Sequence, residues 1–233
     1  MNRRVELEWL DTLPGDDPRA VRSRRDLRIL NRVMGHTGII QGALGTRLHQ
    51  ERVRIAEIGA GDGTLLLRIC ASTAHWRGGE VVLVDRAPAV SAHTVAEYRA
   101  RDYTPRTVAS DVFGWLEQES GVYDAIVANL FLHHFEAAQL RRLFTLSAAR
   151  TSLFVACEPR RAGFPLVASR MLGLIGCHAV TRHDAVLSVR AGFRGRELTP
   201  LWPRAAGWAL EERRAGLFSH LFTAHHSTLA PAT

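Results

Sequence analysis

Apolar residues along this chain fall into short runs separated by longer stretches where they recur every three or four positions. Ile55–Ile58, Glu80–Val84, Thr107–Ala109, the stretch from Tyr123 to Asn129, and Ser152–Cys157 each read as strands. Helical spacing fills the intervals near 63–74, 89–101 and 136–149. Strands alternating with helices predict right-handed βαβ crossovers and a parallel sheet covered on both faces, hence an α/β fold.

The flanks follow other patterns. Pro14-Gly15-Asp16-Asp17-Pro18 is a turn-rich break. After it, Leu27, Leu30, Val33 and Met34 form an apolar stripe along a helix from Arg22 to Met34. Gly35 to Gly38 is expected to end that helix, with another over Ile39 to His49. The stretch from Ala162 to Leu201 is the least regular, offering an amphipathic segment at 165–175 and a helix over 181–191. Trp208–Arg214, the Ala215-Gly216 turn and Leu217–Ala224 read as strand, turn and strand, with His220, His225 and His226 as ordinary residues of the terminal strand. No repeat, linker or second domain is visible, and 233 residues suffice for one sizeable core.

Composition narrows the class. Hydrophobic residues make up 46% and charged residues 23%, as in ordinary globular proteins. Phe164 to Ile175, the most apolar segment, is interrupted by Ser169, Arg170 and Gly173, so no membrane span is expected. The opening residues, Met1 to Asp11, lack the apolar stretch of a secretory signal, which makes the cytoplasm the expected location. The net charge of +7 comes from arginine alone, since the chain has no lysine. The arginines are scattered in pairs, such as Arg24-Arg25 and Arg160-Arg161, rather than gathered in a stripe, which argues against nucleic acid as a partner. Cys70, Cys157 and Cys177 stand far apart; they suggest neither disulfides nor a metal site.

The chemistry concentrates between Arg54 and Thr64. Ile55–Ile58 runs into Gly59, Gly61 and Gly63, and a helix follows at once. Glycine at alternate positions lets bare backbone approach a ligand. A dinucleotide fingerprint would require glycine where Thr64 stands, and the absence of lysine removes the usual Tyr/Lys arrangement of a nicotinamide-dependent oxidoreductase. Asp85 ends the second strand about 20 residues beyond Gly63, where such folds place an acid on ribose hydroxyls.

The E-x-G-x-G-x-G pattern from Glu57 to Gly63, Asp85 after Glu80–Val84, Ser110-Asp111-Val112, the run from Tyr123 to Phe135 with its Leu132-His133-His134-Phe135 continuation, and the strand before Glu158 occur in an order that resembles class I S-adenosylmethionine (SAM)-dependent methyltransferases. The resemblance covers roughly residues 50 to 160. It implies a Rossmann-like, doubly wound, mostly parallel seven-stranded sheet closed by an antiparallel C-terminal hairpin. Residues 1–50 would form an N-terminal helical cap and 51–233 the methyltransferase domain; Asp26 to Gly35 resembles a segment that covers the active site in several small-molecule enzymes.

By the same resemblance Glu57, Gly59, Ala60, Gly61 and Gly63 face the methionine part of SAM. Asp85 and Arg86 stand at the ribose, Asp111 and Val112 at the adenine, and Asn129 and Leu130 beside the methyl group. Glu57 also suits capping of local amides, Asp85 a helix N-cap after Pro88, and Asp111 a cap for a helix from Val112. His133 is the first choice for a general base, with His134 and the His183-Asp184 pair behind it; a polar helix start is the alternative for His133 and His134. Arg160-Arg161 offers an anchor for an acidic group. Implied is a cytoplasmic bacterial enzyme, monomer or homodimer, that O-methylates a small phenolic or polyketide-like acceptor, with C-methylation or a non-catalytic cofactor-binding scaffold as alternatives.

Overall fold

In a computed structural model, residues 1–226 are described; residues 227–233, the end of the expected domain, lie outside them. Seven strands form one sheet: β1 (Arg52–Ile58), β2 (Gly78–Asp85), β3 (Tyr103–Ala109), β4 (Ala125–Asn129), β5 (Leu153–Pro159), β6 (Trp208–Ala215) and β7 (Ser219–His226), in the order β3-β2-β1-β4-β5-β7-β6. The first five are mutually parallel; β7 runs antiparallel to β5 and β6 to β7. This is the mostly parallel seven-stranded sheet with an antiparallel C-terminal hairpin that the motifs implied.

The helices are α1 (Trp9–Thr12), α2 (Pro18–Val33), α3 (His36–Gly45), α4 (Thr64–Ser72), α5 (Ala92–Arg99), α6 (Val112–Gln118), α7 (Ala137–Ala148), α8 (Gly163–Arg170) and α9 (Ala179–Ala191), with short 3-10 turns at Leu132–His134, Met171–Ile175 and Thr199–Leu201. Strand alternation splits the core in two. Val53 and Ile55 pack with Ile40 and Leu44 of α3, Leu66 and Ile69 of α4, and Tyr98 of α5. Ala56 and Ile58 face the opposite layer, with Trp115 of α6, Phe144 of α7, Phe193 and Trp202. The parallel strands are buried on both sides, which explains their continuous apolar runs.

Several boundaries differ from the sequence expectation for physical reasons. β3 starts at Tyr103 because it is the sheet edge, where Pro105 forfeits no ladder bond on its open side. α3 starts at His36 because Gly35, at φ 71°, turns the chain in one residue. The amphipathic segment 165–175 divides into α8 and a 3-10 turn ended by Gly176 at φ 81°. α1, unmarked in the sequence, forms because Asp184 accepts hydrogen bonds from the Trp9 and Leu10 amides, both at 2.9 Å.

Strand order reverses between β1 and β4, both neighbours of each other at the sheet centre. A crevice therefore opens at their carboxyl ends, between the loops after β1 and β4. The N-terminal segment lies across it.

Candidate active site

The loop after β1 depends on left-handed backbone at Gly59 (φ 69°), Gly61 (φ 54°) and Gly63 (φ 68°). Asp85 at the end of β2 braces it: its Oδ2 accepts from the Gly61 amide at 2.9 Å and its Oδ1 from the Ala87 amide at 2.9 Å. A side chain at Gly59 would strike the Phe131 ring, and one at Gly63 would come 2.7 Å from Leu83. At Gly61 it would enter open space, so there the backbone faces a cavity.

That cavity, about 420 Å³, is walled by Glu57, Gly59, Ala60, Gly61, Asp85, Arg86, Asn129 and Leu130, and roofed by Leu10, Asp11, Arg24, Arg28 and Asn31 of the N-terminal segment. Gly63 is outside its wall; contrary to the sequence expectation, its role is to start α4 and admit Leu83. Glu57 is buried, and its Oε2 has no hydrogen-bond partner among the described residues. Burial and the nearby Asp62 carboxylate raise its pKa to about 8. Asn129 likewise leaves Oδ1 unpartnered.

A second chamber of about 640 Å³ adjoins the first, sharing Leu10, Asp11, Leu27, Gly59, Asp85, Arg86 and Leu130. Asp111, Val112, Phe113, Phe131, Phe135, His133 and His134 complete much of its wall. Asp111 is both wall and helix cap, accepting from the Phe113 amide at 2.9 Å. Leu130 takes φ 51°, an uncommon angle for a branched side chain, at the junction of the two chambers.

The histidines separate clearly. His133 is fully buried and held between two carboxylates. Its Nδ1 is 2.8 Å from Glu158 Oε2 and its Nε2 3.3 Å from Glu8 Oε1. Burial opposes its charge, but the two carboxylates outweigh it and raise its pKa to about 9. At neutral pH the ring already carries its proton, so the expectation of a free histidine base at 133 is corrected on this point. Glu158, itself at 0% exposure, also accepts from the Phe131 and Leu132 amides at 2.9 and 2.8 Å and so shapes the turn carrying both histidines. His134 sits on the chamber wall with Nδ1 3.3 Å from Asp11 Oδ2.

His183 is not in either chamber wall. Its ring stacks on Trp9 at 3.8 Å and bonds to Asp184 at 2.9 Å, so the expected base there is instead a clasp for the N-terminal segment. Arg161 is 3% exposed and spent on Gly192, Met1 and Glu197. It is unavailable as an anchor for an acidic group. Glu8, Asp11 and Glu158 were not singled out from the sequence. Only Glu158, a carboxylate closing the buried run of β5, carried a local signal.

Comparison with known proteins agrees with this geometry. Residues 56–153 match the family model described as a methyltransferase domain. No curated protein sequence matches. Among solved structures, an O-methyltransferase family protein from Burkholderia thailandensis is similar over 93% of this chain and 62% of its own, at 16% identity and TM-score 0.63. The chain thus spans about three fifths of that relative. The plantazolicin methyltransferase BamL, solved with a triazolic desmethylPZN analog and SAH, is similar over 94% and 93%, at 11% identity and TM-score 0.64. The pyocyanin biosynthetic protein PhzM is similar over 95% and 62%, at 19% identity and TM-score 0.58.

Proposed function

We propose that this chain, which carries a class I SAM-dependent methyltransferase domain, methylates an oxygen of a small, partly apolar acceptor held in the chamber beside His133 and His134. The observation that carries the reading is the pair of adjoining chambers: one built for the cofactor, the other open to an acceptor, meeting at Gly59, Asp85 and Leu130. The residues present fit SAM. Gly61 offers bare backbone, Asp85 a braced carboxylate, and Glu57 a buried carboxylate oxygen without a partner among the described residues. A buried orphan acceptor costs about 1–3 kcal/mol and is explained when a ligand donor completes it.

When bound, SAM supplies a sulfonium methyl group whose sulfur keeps the bonding pair on transfer. The protein's part is positioning: reacting atoms must be collinear, and much of the rate advantage comes from holding them so. Glu57, ionised by the cofactor's ammonium, fixes the amino-acid end; Asp85 takes the ribose diol. Phe113, Phe131 and Phe135 give the acceptor chamber aromatic walls, with Phe131 and Phe135 rings 5.0 Å apart. The acceptor's hydroxyl proton leaves toward Asp11 and His134 on the chamber wall. BamL is named a plantazolicin methyltransferase and PhzM a pyocyanin biosynthetic protein, which favours a small-molecule acceptor here.

Calorimetric titration with S-adenosylhomocysteine tests the cofactor half. Micromolar binding is expected, weakened at least tenfold by Asp85→Ala, the loss of a hydrogen bond to a charged group. Absence of binding at millimolar ligand overturns the reading. Mass spectrometry of phenolic acceptors incubated with SAM tests the other half, and an O-methyl rather than C-methyl product is expected.

A further inference from the structure

Beside Asp11, which lies 3.3 Å from His134, the Glu8, His133 and His134 side chains bring three ligand-type atoms within 4.8 Å of one another. We infer that these residues form a binding site for a divalent first-row transition cation, set in the wall of the acceptor chamber. Nothing in the sequence suggests it, because Glu8 reaches the histidines only through the fold.

Three features favour a cation over a simple hydrogen-bond cluster. The first is spacing. Glu8 Oε1 and His133 Nε2 are 3.3 Å apart. That is long for a charge-assisted N–H···O bond, which runs at about 2.7–2.9 Å. It matches the edge of a tetrahedron of ligands at about 2.0–2.1 Å from a metal, roughly 3.3 Å. The second is orientation. His133 Nδ1 is engaged at 2.8 Å by Glu158, an outer carboxylate that fixes the tautomer and aims Nε2 at Glu8, as is usual behind metal-bound histidine. Ser188 donates to Glu8 Oε1 and orients that carboxylate in the same way. The third is charge. Three carboxylates gather at the two rings, Glu8 and Glu158 at His133 and Asp11 at His134. A divalent cation held by neutral imidazole would offset that gathered negative charge. Two imidazoles with carboxylates select the transition metals over Mg²⁺ or Ca²⁺.

The site's use, drawing an acceptor hydroxyl to the chamber wall and lowering its pKa, rests on the methyl-transfer reading; metal binding itself does not. The protein, stripped by chelator, is titrated with Zn²⁺ by calorimetry and with Co²⁺ by visible absorption. One equivalent is expected, with the intense absorption of tetrahedral Co²⁺. His134→Ala and Glu8→Gln should each lower affinity at least tenfold while thermal melting stays cooperative. His183→Ala, which removes a histidine of the cap clasp outside the cluster, should leave the stoichiometry unchanged. No stoichiometric binding, or binding retained in both cluster variants, overturns the site. Failure of S-adenosylhomocysteine to bind the same preparation would instead overturn the methyl-transfer reading and leave the metal result standing.

Discussion

The Arg28 guanidinium lies 2.7 Å from the Asp62 carboxylate, joining helix α2 to the glycine loop after β1. Asp62 Oδ1 also accepts from the Thr64 hydroxyl at 2.7 Å, so the pair connects cap, loop and the first turn of α4. Arg28 is 42% exposed, and such an ion pair contributes at most about 1 kcal/mol. Arg28→Ala should therefore raise the KM for SAM about threefold to fivefold, with little change in melting temperature. A double-mutant cycle with Asp62→Ala, read as S-adenosylhomocysteine affinity, should show the two losses overlapping rather than adding.

Two glycines of one loop should respond differently to alanine. Gly63→Ala meets Leu83 at 2.7 Å and keeps φ at 68°, so it should destabilise the fold by roughly 2–3 kcal/mol from strain and crowding together. Gly61→Ala has nothing within 4 Å and should cost only the left-handed penalty, about 1–2 kcal/mol. Its methyl, however, enters the cavity proposed for the cofactor. Thermal melting should rank Gly63→Ala as the less stable variant, while calorimetry should rank Gly61→Ala as the weaker binder for its stability loss.

Glu57 holds its proton at neutral pH because burial and Asp62 raise its pKa to about 8. Its folded pKa exceeds the ordinary carboxylate value, so the protonated form is the favoured one until pH passes about 8. A cofactor ammonium beside it reverses that preference, and binding below pH 8 must then expel a proton. Calorimetry of S-adenosylhomocysteine binding at pH 7 in buffers of differing ionisation enthalpy should report proton release approaching one. Glu57→Gln should abolish the release, and affinity in the wild type should rise with pH up to about 8.

The sheet and glycine loop were legible because their signals are local. Buried parallel strands need continuous apolar runs, as in Ile55–Ile58 and Glu80–Val84, and the loop needs glycine where φ is positive. Asp85, Asp111 and Asn129 follow those strands and came with them. The histidine chemistry was half legible. His133 and His134 stand beyond β4 as their position implied, but the carboxylates that set their state, Glu8 and Glu158, arrive from the N-terminal segment and from β5. Nothing within a window of residues around His133 encodes that. His183 misled for the opposite reason: Asp184 beside it looks like an orienting partner, yet the carboxylate is spent on the amides of α1 and the ring on Trp9.

His36 gives the fold its clearest acid sensitivity. The ring is 1% exposed at the start of α3; Nε2 bonds to Ser219 Oγ at 2.9 Å and Nδ1 has no partner among the described residues. Burial lowers its pKa to about 4, against an ordinary value near 6.5. The unfolded chain therefore binds a proton that the folded chain refuses whenever pH lies between about 4 and 6.5. The neutral ring's contribution is whole above pH 6.5 and is lost as pH falls through that window. The shift converts to about 3 kcal/mol as an upper bound. Urea unfolding of the wild type should show the midpoint falling from pH 6.5 toward pH 4. His36→Gln, which keeps a bond to Ser219 without a titrating ring, should be less stable at pH 7 and show a shallower decline; an unchanged slope would mean that other groups carry the acid response.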